Sequence, residues 1–213
     1  MATHTEAPVT LEPGDHLTRE EFHRRYCARP DIRKAELIEG VVFVPSPVRA
    51  DLHGEPHLAV AGWIYTYVAR SSGVRGHIDA TVLLNAEGIR DEVQPDACLW
   101  IDEPGGPRLT TEHYLEGAPQ LVVEIAASSA SYDLHEKKEA YRRNGVPEYI
   151  VWRVFDKVID WFELRDGVYV LRAPDSEGII ESVRFPGLRL HVPSMLAGDA
   201  LGVLAALGPS TPA

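Results

Sequence analysis

Gln120-Leu-Val-Val-Glu-Ile-Ala126 is the stretch that decides the fold. It is short, nearly continuous in apolar residues and rich in β-branched ones. That pattern marks a central strand covered on both faces rather than an alternating surface strand. Glu124 stands in the middle of it. A carboxylate there loses its hydration and needs a partner, a proton or a metal ion. An edge position or an internal salt bridge would meet the same need.

Working outward, Gln94–Ile101 reads as a strand entered through Pro95, and Ile78–Leu84 as another. Residues 102–119, with Gly105-Gly106-Pro107, read as a loop. Further upstream, the apolar spacing of Leu58, Ala61, Ile64, Tyr65 and Val68 predicts a helix over His57–Arg70. Ala35–Val44 reads as a hairpin turning at Glu39-Gly40. Thr18 and Glu21 form a capping box ahead of a short helix that stops by Pro30. Downstream, Leu134–Asn144 reads as a helix capped by Asp133 with Glu136, ended by Gly145. Glu148–Phe155, Val158–Leu164 and Val168–Arg172 follow as a meander. A strand at Leu188–Val192 and a helix near Met195–Leu207 complete the chain. The expected fold is α/β (α+β), a mixed central sheet flanked by helices with an added antiparallel meander. One domain is expected over residues 17–207, with flexible termini at 1–16 and 208–213.

Composition narrows the class. Of 213 residues, 45% are hydrophobic and 25% charged, which suits a packed domain and excludes a disordered polymer. Cys27 and Cys98 are far apart, so neither a disulfide framework nor a zinc–thiolate cluster is expected, and reduced thiols in a cytosol are the default. No apolar run reaches the length of a membrane span. The sequence MATHTEAPVT does not read as a signal peptide. The net charge is −11, whereas a protein that holds DNA by charge alone is usually basic. The charge is also segregated. Glu87–Glu116 carries eight acids against Arg90 and Arg108, and Arg19–Lys34 carries six bases against three acids. The acidic stretch is a solvated face or a divalent-cation site. The basic one could meet a phosphate backbone.

Three features could carry chemistry. Glu124 is the first. Asp96, entering the neighbouring strand, is the second, with a simple turn residue as its alternative. The third is Lys137-Lys138, flanking the apolar face set by Leu134 and Tyr141; snorkelling into solvent is the alternative there. Two carboxylates on adjacent strands with a lysine suit metal-assisted phosphodiester hydrolysis. His53 and His57, in HGEPH, do not form HExxH, and Pro56 would break a helix through the pair, so zinc is not expected. No phosphate-binding or dinucleotide glycine motif is present, and Ser128-Ser129 lack a GxSxG setting.

Pro95-Asp96 followed by Glu124-Ile125-Ala126 resembles the signature of the PD-(D/E)XK nuclease superfamily. More closely, the chain resembles the Uma-two family of restriction-endonuclease-like proteins. The resemblance runs through AELIEGVVFVPSPVR at 35–49, HGEPH at 53–57, QPDA at 94–97, EGAPQLVVEIAASSASYDLHEK at 116–137 and AYRRNGVPEYIVWRV at 140–154. It implies a restriction-endonuclease-like fold and an endonuclease that hydrolyses DNA with Mg²⁺ or Mn²⁺. It makes Asp96 and Glu124 the motif acids and Glu36 a third acid that completes the metal site. His53 would contact phosphate or orient a carboxylate. The motif lysine would fall at 126, where this chain has Ala126; the resemblance moves that role to Lys137, and Lys138 matches a position that is often apolar. A cytoplasmic homodimer acting on DNA is the corresponding expectation, since the strands of a duplex are related by a two-fold axis. The alternative is a nuclease-fold module that binds or assembles without cutting.

Overall fold

The computed structural model describes residues 10–45 and 50–209; residues 1–9, 46–49 and 210–213, including the end of the 35–49 segment, lie outside the described residues. α1 (Arg19–Cys27) starts at Thr18, whose Oγ1 accepts the Glu21 N–H at 3.3 Å, one half of the expected capping box; the Glu21 carboxylate turns to Arg24 and Arg25 instead. β1 (Glu36–Ile38) and β2 (Val41–Phe43) form the expected hairpin. Glu39 and Gly40 turn it with φ of 52° and 77°, both left-handed, which suits the twist of the flanking strands. After a π-helical turn at Ala50–Gly54 comes α2 (Glu55–Val68), with Pro56 in its first turn, where no helical N–H is required.

The next segment departs from expectation. Ile78–Leu84 is not one strand but the end of β3 (Val74–Ile78) and all of β4 (Val82–Leu84), which belong to different sheets. The break falls at Asp79, with φ of 53°. Likewise β5 (Asp91–Val93) precedes β6 (Ala97–Ile101), and Gln94-Pro95-Asp96 is the link between two sheets rather than the start of a strand. The expected loop at 102–119 holds the short strands β7 (Arg108–Leu109) and β8 (Leu115–Glu116).

β9 (Leu121–Ala126) is buried along its whole length. α3 (Ala130–Tyr132), a π-helical turn at Asp133–Lys137 and α4 (Lys138–Arg143) follow as one continuous helical stretch. Asp133 therefore lies inside the helix and does not cap it; its Oδ2 accepts the Ser129 hydroxyl at 2.6 Å. Gly145, φ 73°, ends the stretch as predicted. β10 (Glu148–Arg153), β11 (Val158–Arg165) and β12 (Val168–Arg172) are the meander. β13 (Ile179–Glu181), absent from the sequence reading, pairs with β14 (Arg189–His191). The last helix is two, α5 (Val192–Ala197) and α6 (Ala200–Ala205), divided at Gly198.

The principal sheet has the order β12-β11-β10-β9-β6-β3, with β9 and β10 parallel and the remaining pairs antiparallel. A second sheet, β2-β1-β5-β4-β8-β7, packs against it. One face of the principal sheet is covered by Val60, Trp63, Ile64 and Tyr67 of α2 with Phe185, Leu190 and Met195 from the C-terminal part. The other face meets the second sheet and α4 through Val122, Trp100, Val82, Leu84 and Tyr141. Leu37 and Val42 on the second sheet's outer face pack against Phe22 of α1. Leu11 is buried in the same cluster, and the Gly14 N–H donates to the Val42 carbonyl at 2.8 Å. Within the stretch expected to be a flexible terminus, Leu11 is thus buried and residues 14–16 pair with the backbone of β2, while Glu12, Pro13, Gly14 and His16 are exposed. No helix among the described residues is long and apolar enough to cross a membrane.

Candidate active site

Strand periodicity puts the two motif acids on one side. On β9, Leu121, Val123 and Ile125 face the core under α2, whereas Val122 and Ala126 face the second sheet. Glu124 is in phase with the latter. On β6, Cys98 and Trp100 face the second sheet, and Asp96, two residues before Cys98, continues that alternation. The β6–β9 register pairs Ala97 with Val123, which sets Asp96 beside the Glu124–Ile125 step. The Ile125 N–H donates to Asp96 Oδ2 at 2.7 Å.

Each carboxylate has its own cation. Lys34 Nζ donates to Asp96 Oδ1 at 3.1 Å, and His53 Nε2 stands 3.4 Å from Oδ2. His57 Nε2 lies 3.0 Å from the Asp96 carbonyl oxygen. Lys137 Nζ forms ion pairs with Glu124 Oε1 at 2.6 Å and Glu36 Oε1 at 3.0 Å, with Asp133 Oδ1 at 3.8 Å. The Tyr141 hydroxyl donates to Glu124 Oε1 at 2.8 Å. Glu36 also accepts the Gln94 N–H at 2.7 Å, and the Tyr132 hydroxyl at 3.4 Å. All five residues singled out in the sequence, Glu36, His53, Asp96, Glu124 and Lys137, line one cleft of about 930 Å³. Lys138 does not: its ammonium lies over the Phe162 ring, 3.5 Å from the centroid.

Burial and pairing divide the protons unequally. Burial pushes the Asp96 carboxyl up, but Lys34, the His53 contact and Lys137 together outweigh it and hold the group well below the usual carboxylate range. Burial pushes Glu124 up to about 8 against the pull of Lys137, with Asp96 adding to the rise. Burial raises Asp133 as well. It would lower Lys137, yet Glu124, Glu36 and Asp133 outweigh it and keep the ammonium well above the ordinary lysine range.

Among the described residues, no three His, Cys, Asp or Glu side chains gather into a metal cage. The Lys137 ammonium stands between Glu36 and Glu124, so Glu36 meets a lysine here rather than the other two acids. The donor set still fits one class of ion. Asp96 and Glu124 offer hard oxygens beside an open cleft, as suits Mg²⁺ or Mn²⁺, which need only one or two carboxylates and keep water or phosphate on the remaining positions. Glu36, Asp96, Glu124 and Asp133 against Lys34 and Lys137 leave a net formal charge of −2 in the cleft when all are ionised.

Lys34, Tyr132, Asp133 and Tyr141 were not legible as site residues. Lys34 is two residues before Glu36, a strand-like spacing that brings both to one side, and Tyr141 is one helical turn after Lys137. The basic stretch expected to meet a phosphate backbone is mostly engaged within the fold. Arg24 and Arg25 pair with Glu21, Arg29 pairs with Asp31, and Arg19 is buried against the Leu84 and Asp91 carbonyls. The acidic stretch is similarly partnered, with Asp91 on Arg143, Glu92 on His23 and Glu116 on Arg108.

Residues 19–193 match the sequence family described as "Putative restriction endonuclease", Uma2. The fold is similar to a crystal structure titled as a putative nuclease belonging to DUF820 from Anabaena variabilis ATCC 29413. That likeness has a TM-score of 0.58 at 13% identity and spans 77% of this chain and 90% of the other. No curated protein matches the chain.

Proposed function

Because the chain belongs to the Uma2 family, we propose that its cleft hydrolyses phosphodiester bonds of DNA with Mg²⁺ or Mn²⁺ as cofactor. One observation carries the reading: Asp96, at the entry to β6, and Glu124, on neighbouring β9, share a cleft with the Lys137 ammonium, 2.6 Å from Glu124. Asp96 and Glu124 would hold the ion, which when bound supplies charge for the phosphate oxygens and lowers the pKa of a coordinated water. A divalent cation bound there would favour the ionised forms of Asp96 and Glu124 and balance the negative charge they carry. Lys137 presents a buried positive charge where negative charge builds up on the phosphate. Glu36 holds Lys137 in place from the opposite sheet, and His53 orients Asp96. Lys34 serves as the counter-ion of Asp96 at the mouth of the cleft, where it is more exposed than Lys137.

Cutting both strands of a duplex suits a two-fold dimer working in the cytoplasm. Val168 and Val170, exposed on one face of edge strand β12, offer apolar surface for one. Nicking of supercoiled plasmid by the purified chain in Mn²⁺ tests the activity. Cleavage should stop with EDTA and in Asp96→Asn and Glu124→Gln. The second reading is a nuclease-fold binding module that does not cut. It is favoured by the cleft ammoniums, both engaged by carboxylates, and by the internal pairing of the basic stretch. Binding of plasmid without nicking in either metal would select it.

A further inference from the structure

The second sheet has a face turned away from the cleft, and a different cluster sits there. Register places Leu37 beside both Val42 and Glu92, so these three side chains share the face covered by α1, while Glu36 and Phe43 share the cleft face. Glu92 is 1% exposed, and its two carboxylate oxygens lie 3.0 and 3.2 Å from His23 Nδ1. The other ring nitrogen, Nε2, is 3.5 Å from Cys27 Sγ, one helical turn further along α1. Tyr114 packs edge-on against the His23 ring, with centroids 5.1 Å apart. Cys27 is exposed.

We infer that Cys27, His23 and Glu92 form a surface thiol site that exchanges with low-molecular-weight disulfides. The arrangement has a nucleophile, a base within reach of it, and a buried carboxylate that fixes the base. A carboxylate on Nδ1 holds the proton on that nitrogen, so Nε2 faces the thiol with its lone pair. The Cys27 proton passes to His23 Nε2. The thiolate then attacks one sulfur of the disulfide, a new S–S bond forms to Sγ, and the old S–S bond breaks. The second sulfur leaves as a thiolate and takes the proton from His23. The disulfide itself is the oxidant, and the products are a mixed disulfide on Cys27 and one free thiol. Attack on sulfur needs no oxyanion donors, so these three residues suffice. The other groups facing the cluster are Glu112 and Tyr114 from the β7–β8 connection and Arg19 beside Glu92; Arg24 and Arg25 are turned to Glu21.

The test is reaction of the full chain with oxidised glutathione, followed by intact mass from pH 6 to 9. One adduct per chain should form, on Cys27, and Cys27→Ser should abolish it. At pH 7 the wild type should form the adduct several-fold faster than His23→Gln, and the two rates should converge at pH 9, where thiols ionise unaided. Glu92→Gln should fall between them, and His23→Asn repeats the test where Gln packs poorly. Equal rates in the wild type and both His23 variants across the range would overturn the proposal, as would an adduct on Cys98. Plasmid nicking plays no part in this measurement, so it stands or falls apart from the cleft.

Discussion

Lys137 Nζ lies 2.6 Å from Glu124 and 3.0 Å from Glu36, so a single buried ammonium ties the central strand of one sheet to the hairpin of the other. Removing it leaves two buried carboxylates facing each other, a change that typically costs about 3–5 kcal/mol. Lys137→Ala should therefore melt well below the wild type and lose plasmid nicking by roughly 10²-fold or more. Lys138→Ala should lose only its ring contact, about 0.5–1 kcal/mol, and nick normally. Equal behaviour of the two variants in denaturation and nicking assays would remove Lys137 from the site.

Metal binding can be read without any substrate. Saturating Mn²⁺ should raise the melting temperature of the wild type, by the equivalent of about 2.7 kcal/mol at a hundredfold excess over Kd, and leave Asp96→Asn and Glu124→Gln unmoved. Lys34→Met frees Asp96 Oδ1 from its ammonium, and Mn²⁺ should then bind several-fold more tightly in a calorimetric titration. Weaker binding would mean that Lys34 shapes the site rather than competes for it.

The raised Glu124 carboxyl has a pH signature in metal-free buffer. Its folded-state value lies above the unfolded one, so the folded chain retains a proton that the unfolded chain releases between about 4.5 and about 8. That contribution to stability is complete below the lower value and is lost as pH rises through the upper one. Asp96, held low, stays ionised across the window and adds no slope. Glu124→Gln removes this contribution and leaves those of the other raised carboxyls in place. Its stability relative to the wild type should therefore grow between pH 5.5 and 8, by about 1 kcal/mol or more. Urea melts at the two pH values check this, and a constant difference would mean that Glu124 is ionised throughout.

A second buried ion pair makes an independent prediction. Arg143 donates to Asp91 Oδ2 at 2.7 Å, and the Asp91 side chain is fully enclosed. Arg143→Met should cost about 3 kcal/mol by stranding that charge, and Asp91→Asn in the same chain should restore part of it. Additive losses in chemical denaturation would show that the two groups do not depend on each other.

Local signals carried much of this fold. The apolar run around Glu124, the Glu39-Gly40 turn and the Val168–Arg172 strand stand where the residues predict, because burial, turn geometry and alternation act within a few positions. The second sheet was largely illegible. Its strands β4, β5, β7 and β8 are two or three residues long, too short for a period to show. Nothing local tells that Ile78 and Val82, four positions apart, belong to different sheets. The acids of the site could be found because a carboxylate in an apolar strand is conspicuous. Lys34 looked like one more base in a basic stretch, and only the long-range approach to Asp96, 62 positions away, distinguishes it.

The wide turn at Asp133–Lys137 acts as an angular spacer. In a regular helix each residue advances the side chain by about 100°, so adjacent lysines point in different directions whose absolute orientation depends on every residue since β9. The extra residue absorbed by the π turn sets that orientation, aiming Lys137 at Glu124 and Lys138 at Phe162. What must be kept between the acid and its lysine is therefore a rotation as well as a length. Deleting one residue from the turn would keep the helix yet swing the ammonium out of the cleft, whereas removing a full turn would keep the aim but shift the ammonium about 5.4 Å along the axis.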